Sequence, residues 1–165
     1  MTRPPSLGLS PIGWERGNSA GPRESERSHT GCHPGERTPL VFVALGANLG
    51  DSKRTIIEAA RELEKFSDEP LLRSSLWETS PVDCPPGTPP FVNAVVGFIP
   101  RLKGTPETLL ARLQSMEKAF GRTPKRTVNE SRVLDLDLIA FGSETRATNE
   151  LTLPHPRAHL RRFVL

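Results

Sequence analysis

Apolar and polar positions alternate along this chain in two rhythms, and the switches between them lay out its elements. Residues 40–45 (LVFVAL) form a short, β-branched apolar run that stops at Gly46, the pattern of a buried strand. After the loop Gly46-Ala47-Asn48-Leu49-Gly50, Asp51 is suited to cap a helix running through Phe66. Ile56, Ala60, Leu63 and Phe66 give that helix one apolar side. Residues 71–79 return to period two, with Leu72, Ser74, Leu76 and Glu78 alternating against Arg73, Ser75 and Trp77. A loop over residues 80–90, holding prolines 81, 85, 86, 89 and 90, leads to a third strand over 91–99 (FVNAVVGFI). Thr105 caps a second helix whose first position is Pro106, where the missing N–H costs nothing. Leu109, Leu113, Met116 and Phe120 are its core stripe, and Gly121 ends it. A basic loop over 122–132 precedes a fourth strand over 133–141 (VLDLDLIAF). A turn at Gly142-Ser143, a polar stretch and the segment LTLPHPRAHLRRFVL close the chain. The order β-α-β-β-α-β predicts an α+β, ferredoxin-like architecture: four antiparallel strands with both helices on one face. The helix-free face is then open to ligands.

Composition changes this picture at one end. Residues 1–39 hold six Pro, six Gly and five Ser, too little apolar surface to offset the backbone entropy of ordering. They read as a disordered arm, dispensable for folding, and residues 40–165 as the one domain. His29, Cys32 and His33 in that arm lack a matching partner cluster and read as unmetallated. The whole chain has 165 residues, with 22 Lys+Arg against 19 Asp+Glu, for a net charge of +3. That balance is not the charge density of a nucleic-acid coat or a polybasic membrane binder. Cys32 and Cys84 are too few for a disulfide scaffold. No apolar run reaches the ~18 residues of a membrane span. The start lacks the apolar stretch of a secretory signal. The expectation is a cytoplasmic, monomeric protein that binds neither nucleic acid nor membrane.

The sharpest chemical signal is Asp135-Leu136-Asp137 inside an apolar strand. At period two both carboxylates share one face, while Leu134, Leu136 and Leu138 share the other. Two carboxylates so close repel unless a cation joins them, and Mg²⁺ shared with phosphate oxygens is the natural partner. The plain alternative is an exposed strand face with two solvated acids. Basic segments flank the pair: Arg122, Lys125, Arg126 and Arg132 upstream, His155, Arg157, His159, Arg161 and Arg162 downstream. Arginine forks on phosphate oxygens beside a carboxylate-held metal make a polyphosphate site. Phe91 and Asn93 share a strand face, where an aromatic and an amide can stack on and hydrogen-bond to a planar heterocycle. A core role for Phe91 is the alternative. Neither a P-loop nor a dinucleotide fingerprint is present.

Taken together, VALGANLGD, WETSPV followed by FVNAV, LQSMEKAFGR, RVLDLDLIAFG and LTLPHPR…RRF resemble the 6-hydroxymethyl-7,8-dihydropterin pyrophosphokinase family of folate biosynthesis. The resemblance runs from Leu40 to Leu165. It implies a ferredoxin-like enzyme that moves pyrophosphate from ATP to the pterin hydroxymethyl oxygen and releases AMP. By similarity, Asp135 and Asp137 hold two Mg²⁺ ions, and Arg122 and Arg132 assist the transfer. The pterin would lie between Phe91 and Phe163, with contacts from Thr79, Pro81, Val82 and Asn93. ATP would meet Gln114, Glu117, Lys125, Leu138, Ile139, Thr152, His155, Pro156 and Arg161. Ahead of Arg132, where the family often carries an Arg-Trp pair, this sequence reads Val128-Asn129. The chain stops just after Phe163, where the family normally continues, so it reads as C-terminally truncated. A truncated relative that binds nucleotide or pterin without turnover is the alternative function.

Overall fold

A computed structural model describes residues 10–12, 14, 38–82, 84–101, 104–122, 130–161 and 163–164. The main sheet is built on β2 (Val41–Ala47), whose Val41, Val43, Leu45 and Ala47 are buried toward the helices. Asp51 caps α1 (Ser52–Glu64) by accepting from the Arg54 N–H at 3.0 Å. Ile56, Ala59, Ala60 and Leu63 are the buried stripe of α1. Burying such a stripe stabilises by roughly 1.5–3 kcal/mol per large side chain, more than the helix's intrinsic propensity supplies. Phe66, expected as the last helical residue, lies just past the helix and packs against the core.

The strand expected over residues 71–79 is two: β3 (Leu72–Arg73) and β4 (Leu76–Thr79). The break has a local cause. Ser74 Oγ accepts the Val95 N–H at 2.8 Å, so a side chain replaces the backbone carbonyl in the ladder. Then come β5 (Phe91–Phe98) and α2 (Pro106–Ala119), which opens with a capping box between Thr105 and Thr108. Gly121, at φ +91°, turns the chain away after α2, in a backbone region that disfavours other residues. β6 (Asp135–Phe141) follows, two residues shorter at its start than the expected strand. Beyond it, β7 (Arg146–Ala147) and β8 (Thr152–Leu153) form a small antiparallel pair where the sequence pattern assigned no element.

The four expected strands stand in the order β4-β5-β2-β6, every pair antiparallel. α1 packs on β2 and β5, and α2 on β6. This is the α+β sheet-and-helix arrangement read from the sequence. Among the described residues no helix is long and apolar enough to cross a membrane.

One expectation needs correction. Within the supposed arm, β1 (Ser10–Ile12) adds to the edge of β4, with Ile12 opposite Leu76 and Ser10 opposite Glu78. Trp14 packs against the core, donates its indole N–H to the Ser74 carbonyl at 2.7 Å and lies under the Arg73 guanidinium. An unpaired sheet edge and one large aromatic are enough to hold a short segment, whatever the average composition around it. His29, Cys32 and His33 lie outside the described residues.

Candidate active site

The strand register brings the chemistry together on the helix-free face. Gly46 of β2 pairs with Asn93 on one side and Asp135 on the other, and Ala44 pairs with Asp137. Thr79 of β4 pairs with Phe91. Side chains alternate across a strand, so Phe91, Asn93, Asp135 and Asp137 rise from one surface while Leu134, Leu136 and Leu138 are buried beneath. The two small residues of β2 form the floor between them. A Cβ on Gly46 would sit 3.1 Å from Asn93 Oδ1, so only glycine leaves this floor clear.

Asp135 is held by two guanidinium groups: Arg132 Nη1 lies 2.7 Å from Oδ2 and Arg122 Nη1 3.0 Å from Oδ1. Arg161 Nη1 meets Asp137 Oδ2 at 2.8 Å. Both carboxylates keep some solvent contact, at 18% and 27% side-chain exposure. Arg122 also pairs with Glu117, whose Oε1 accepts the Leu136 N–H at 2.8 Å. Burial pushes the Glu117 carboxyl above the usual carboxylate range, while the Leu136 N–H and Arg122 work against that rise. Glu117, at 5% exposure, is thus a strut between α2 and β6 that also positions Arg122.

A cleft of about 210 Å³ opens over this surface, lined by Thr79, Val82, Phe91, Asn93, Arg132, Asp135, Asp137, Arg161 and Phe163. Phe91 and Phe163 line it with aromatic rings, which suit a flat ring system. Asn93 donates to Thr79 Oγ1 at 2.8 Å, which fixes its amide. Pro81 does not line the cleft; Ser80 and Cys84, which no sequence pattern singles out, do.

A second cleft, about 260 Å³, lies beside the first and is lined by Leu138, Thr152, His155 and Pro156, with Asp137 common to both. A bulge in β6 opposite Phe42 and Val43 leaves Ile139 as the extra residue, and its carbonyl accepts the His155 N–H at 2.9 Å. That anchors the His155 segment to the strand carrying the aspartates. Burial lowers the His155 pKa, Asp137 opposes the shift, and Arg161 and Arg157 reinforce it, so the ring is neutral near pH 7. Nδ1 accepts the Arg157 N–H at 3.2 Å, which puts the ring proton on Nε2. Gln114 is exposed on α2 and lines neither cleft. Lys125 lies outside the described residues, as do Val128 and Asn129. Among the described residues no group of three or more His, Cys, Asp or Glu is placed to hold a metal.

Residues 42–165 match the family model described as 7,8-dihydro-6-hydroxymethylpterin-pyrophosphokinase. The chain is 34% identical over 125 residues to the folate synthesis bifunctional protein of Arabidopsis thaliana, covering 76% of this chain and 25% of that protein. It is 34% identical over 126 residues to the 2-amino-4-hydroxy-6-hydroxymethyldihydropteridine pyrophosphokinase of Haemophilus influenzae, covering 76% of each. The protein of the same description from Bacillus subtilis is also 34% identical, over 128 residues, with 76% of this chain and 74% of that one covered. The chain thus spans a quarter of the plant protein and about three quarters of the bacterial ones.

Proposed function

The chain belongs to the 7,8-dihydro-6-hydroxymethylpterin-pyrophosphokinase family, and from that premise we propose that it transfers pyrophosphate from ATP to 6-hydroxymethyl-7,8-dihydropterin. The observation that carries this reading is the position of Asp137, common to a flat-ring cleft and to the cleft beside it. The pterin occupies the first, stacked on Phe91 and Phe163 and hydrogen-bonded through Asn93. ATP occupies the second, against Leu138, Thr152, His155 and Pro156, with its phosphates reaching the junction.

The donor set at the junction fits Mg²⁺. It consists of two carboxylates on one strand face, with no third acidic or imidazole ligand among the described residues. Mg²⁺ favours this arrangement: one or two carboxylates, the remaining positions taken by phosphate and water. Asp135 and Asp137 would hold it, two ions with a triphosphate present. Bound there, Mg²⁺ would supply neutralisation of phosphate charge.

The rest is the work of this chain's own side chains. Arg122, Arg132 and Arg161 balance the aspartates in the structure described here. The same forks suit phosphate oxygens in bidentate fashion. Neutral His155 can donate from Nε2 to a phosphate oxygen. Phe91, Phe163 and Asn93 fix the ring so that its hydroxymethyl oxygen faces the β-phosphorus. The new bond joins that oxygen to the β-phosphorus, the bond to the α,β-bridging oxygen breaks, AMP leaves with that oxygen, and the hydroxyl proton passes to solvent. Orientation and charge stabilisation carry the rate, as phosphoryl transfer requires.

The reading is of a monomer acting in the cytoplasm. Family membership favours turnover over binding alone. The test is AMP formation by the purified chain with ATP, Mg²⁺ and 6-hydroxymethyl-7,8-dihydropterin. AMP should appear only with all three. AMP that forms equally well without the pterin would overturn the reading.

A further inference from the structure

Asn48 stands outside both clefts yet is 3% exposed, and its backbone N–H and both side-chain polar atoms meet the two loops that flank the reaction. Its backbone N–H donates to the Arg132 carbonyl at 3.1 Å, and its Oδ1 accepts the Arg132 N–H at 2.7 Å. Both backbone groups of Arg132 are therefore paired with one residue. Its Nδ2 donates to Ser131 Oγ at 3.1 Å and to the Pro89 carbonyl at 3.3 Å. Pro89 is two residues before Phe91, and Arg132 holds Asp135. We propose that Asn48 is a positioning residue that sets Arg132 against Asp135 and ties the arginine loop to the loop leading into Phe91, so that ring binding and phosphate-clamp placement are linked.

This rests on the pyrophosphokinase reading for its kinetics, but not for its geometry. A buried carboxamide with both ends paired is costly to leave half-satisfied, so the two loops move together or not at all. Alanine frees both. Aspartate keeps the acceptor for the Arg132 N–H and removes the donor to Pro89.

The test compares Asn48→Ala and Asn48→Asp with the wild-type chain. For N48A, kcat should fall roughly tenfold to a hundredfold, the cost of a misplaced clamp. The pterin KM should rise severalfold and the ATP KM stay within about twofold, since the Asn48 hydrogen bonds run to Pro89, Ser131 and Arg132 and not to the Thr152 and His155 side. N48D should recover most of kcat while keeping the raised pterin KM. Equal losses in all three parameters, or no loss, would overturn the proposal. Hydrogen exchange on the wild-type protein decides the matter if the variants fail to fold. The Arg132 amide should be protected, and more so with 6-hydroxymethylpterin added; an Arg132 amide that exchanges freely, or that ignores the added pterin, refutes the link. A wild-type chain that makes no AMP would sink the function, while the exchange result would still judge the tether.

Discussion

Replacing Glu117 separates what its oxygen does from what its charge does. In Glu117→Ala the buried Leu136 N–H loses its acceptor, and an orphaned buried donor costs roughly 1–3 kcal/mol. One methylene leaves the packed space between α2 and β6, at ~0.8 kcal/mol. Arg122 loses one partner and keeps Asp135 at 3.0 Å. The sum is about 3 kcal/mol, or about 10 °C in melting temperature for a domain of this size. Glu117→Gln keeps an acceptor for Leu136 and removes a charge that burial opposes, so its cost should stay below ~1 kcal/mol. The pH dependence gives a second signature. The folded-state pKa of Glu117 is raised above its unfolded value near 4.5, so the folded chain holds that proton more tightly. Its contribution to stability is then fully present below the unfolded pKa and falls as pH rises through the folded one. The glutamine variant should lack that decline. Thermal melts of the three proteins from pH 4 upward check both points. If Ala and Gln melt together, or Gln is the weaker, the strut role of Glu117 is wrong.

Other perturbations read other parts of the structure. Asp135→Asn and Asp137→Asn should each lower kcat by orders of magnitude while leaving the far-ultraviolet circular dichroism unchanged, since each removes charge stabilisation and no core; near-normal turnover in either would remove that aspartate from the site. Gly46→Ala should raise the pterin KM more than the ATP KM, because its Cβ would press on Asn93 Oδ1. Trp14→Ala should lower stability by about 1–3 kcal/mol through lost packing and the lost bond to Ser74; an unchanged denaturant midpoint would remove Trp14 from the core. Glu107 titrates at about 2 because Arg146 hydrogen-bonds it. Its contribution to stability is present above the unfolded value of 4.5 and is lost as pH falls through 2; in Arg146→Ala, carboxyl NMR should find the Glu107 pKa raised toward the ordinary value, with the backbone and Thr105 hydrogen bonds still holding it down.

The parts of this molecule that were legible in the sequence are those fixed by local rules. Asp51 and Thr105 cap their helices as their side chains require, and the alternation around Asp135 and Asp137 places both acids on the open face. The break between β3 and β4 was not legible, because a count of alternating residues does not show that the Ser74 hydroxyl competes for a ladder position. β1 and Trp14 were hidden by averaging: a segment rich in Pro and Gly can still contain three residues that extend an edge. Glu117, expected from the resemblance to meet ATP, is instead buried between α2 and β6 and lines neither cleft, a placement that only the packing of the two elements reveals. Asn48 carries no pattern at all, since its partners are 41 and 83–84 residues away in sequence. The proposed phosphate and ring contacts came mainly from family resemblance; the strand register places Phe91, Asn93, Asp135 and Asp137 on one sheet face.

The most direct test of the central claim follows the phosphates. Separate reactions with β-labelled and γ-labelled ATP, Mg²⁺ and 6-hydroxymethyl-7,8-dihydropterin would be quenched within one turnover and the products resolved. Transfer of an intact pyrophosphoryl group predicts that both labels reach the pterin product in equal amount, matched mole for mole by unlabelled AMP. A γ label on the pterin with the β label in ADP, or both labels in free pyrophosphate, would contradict it.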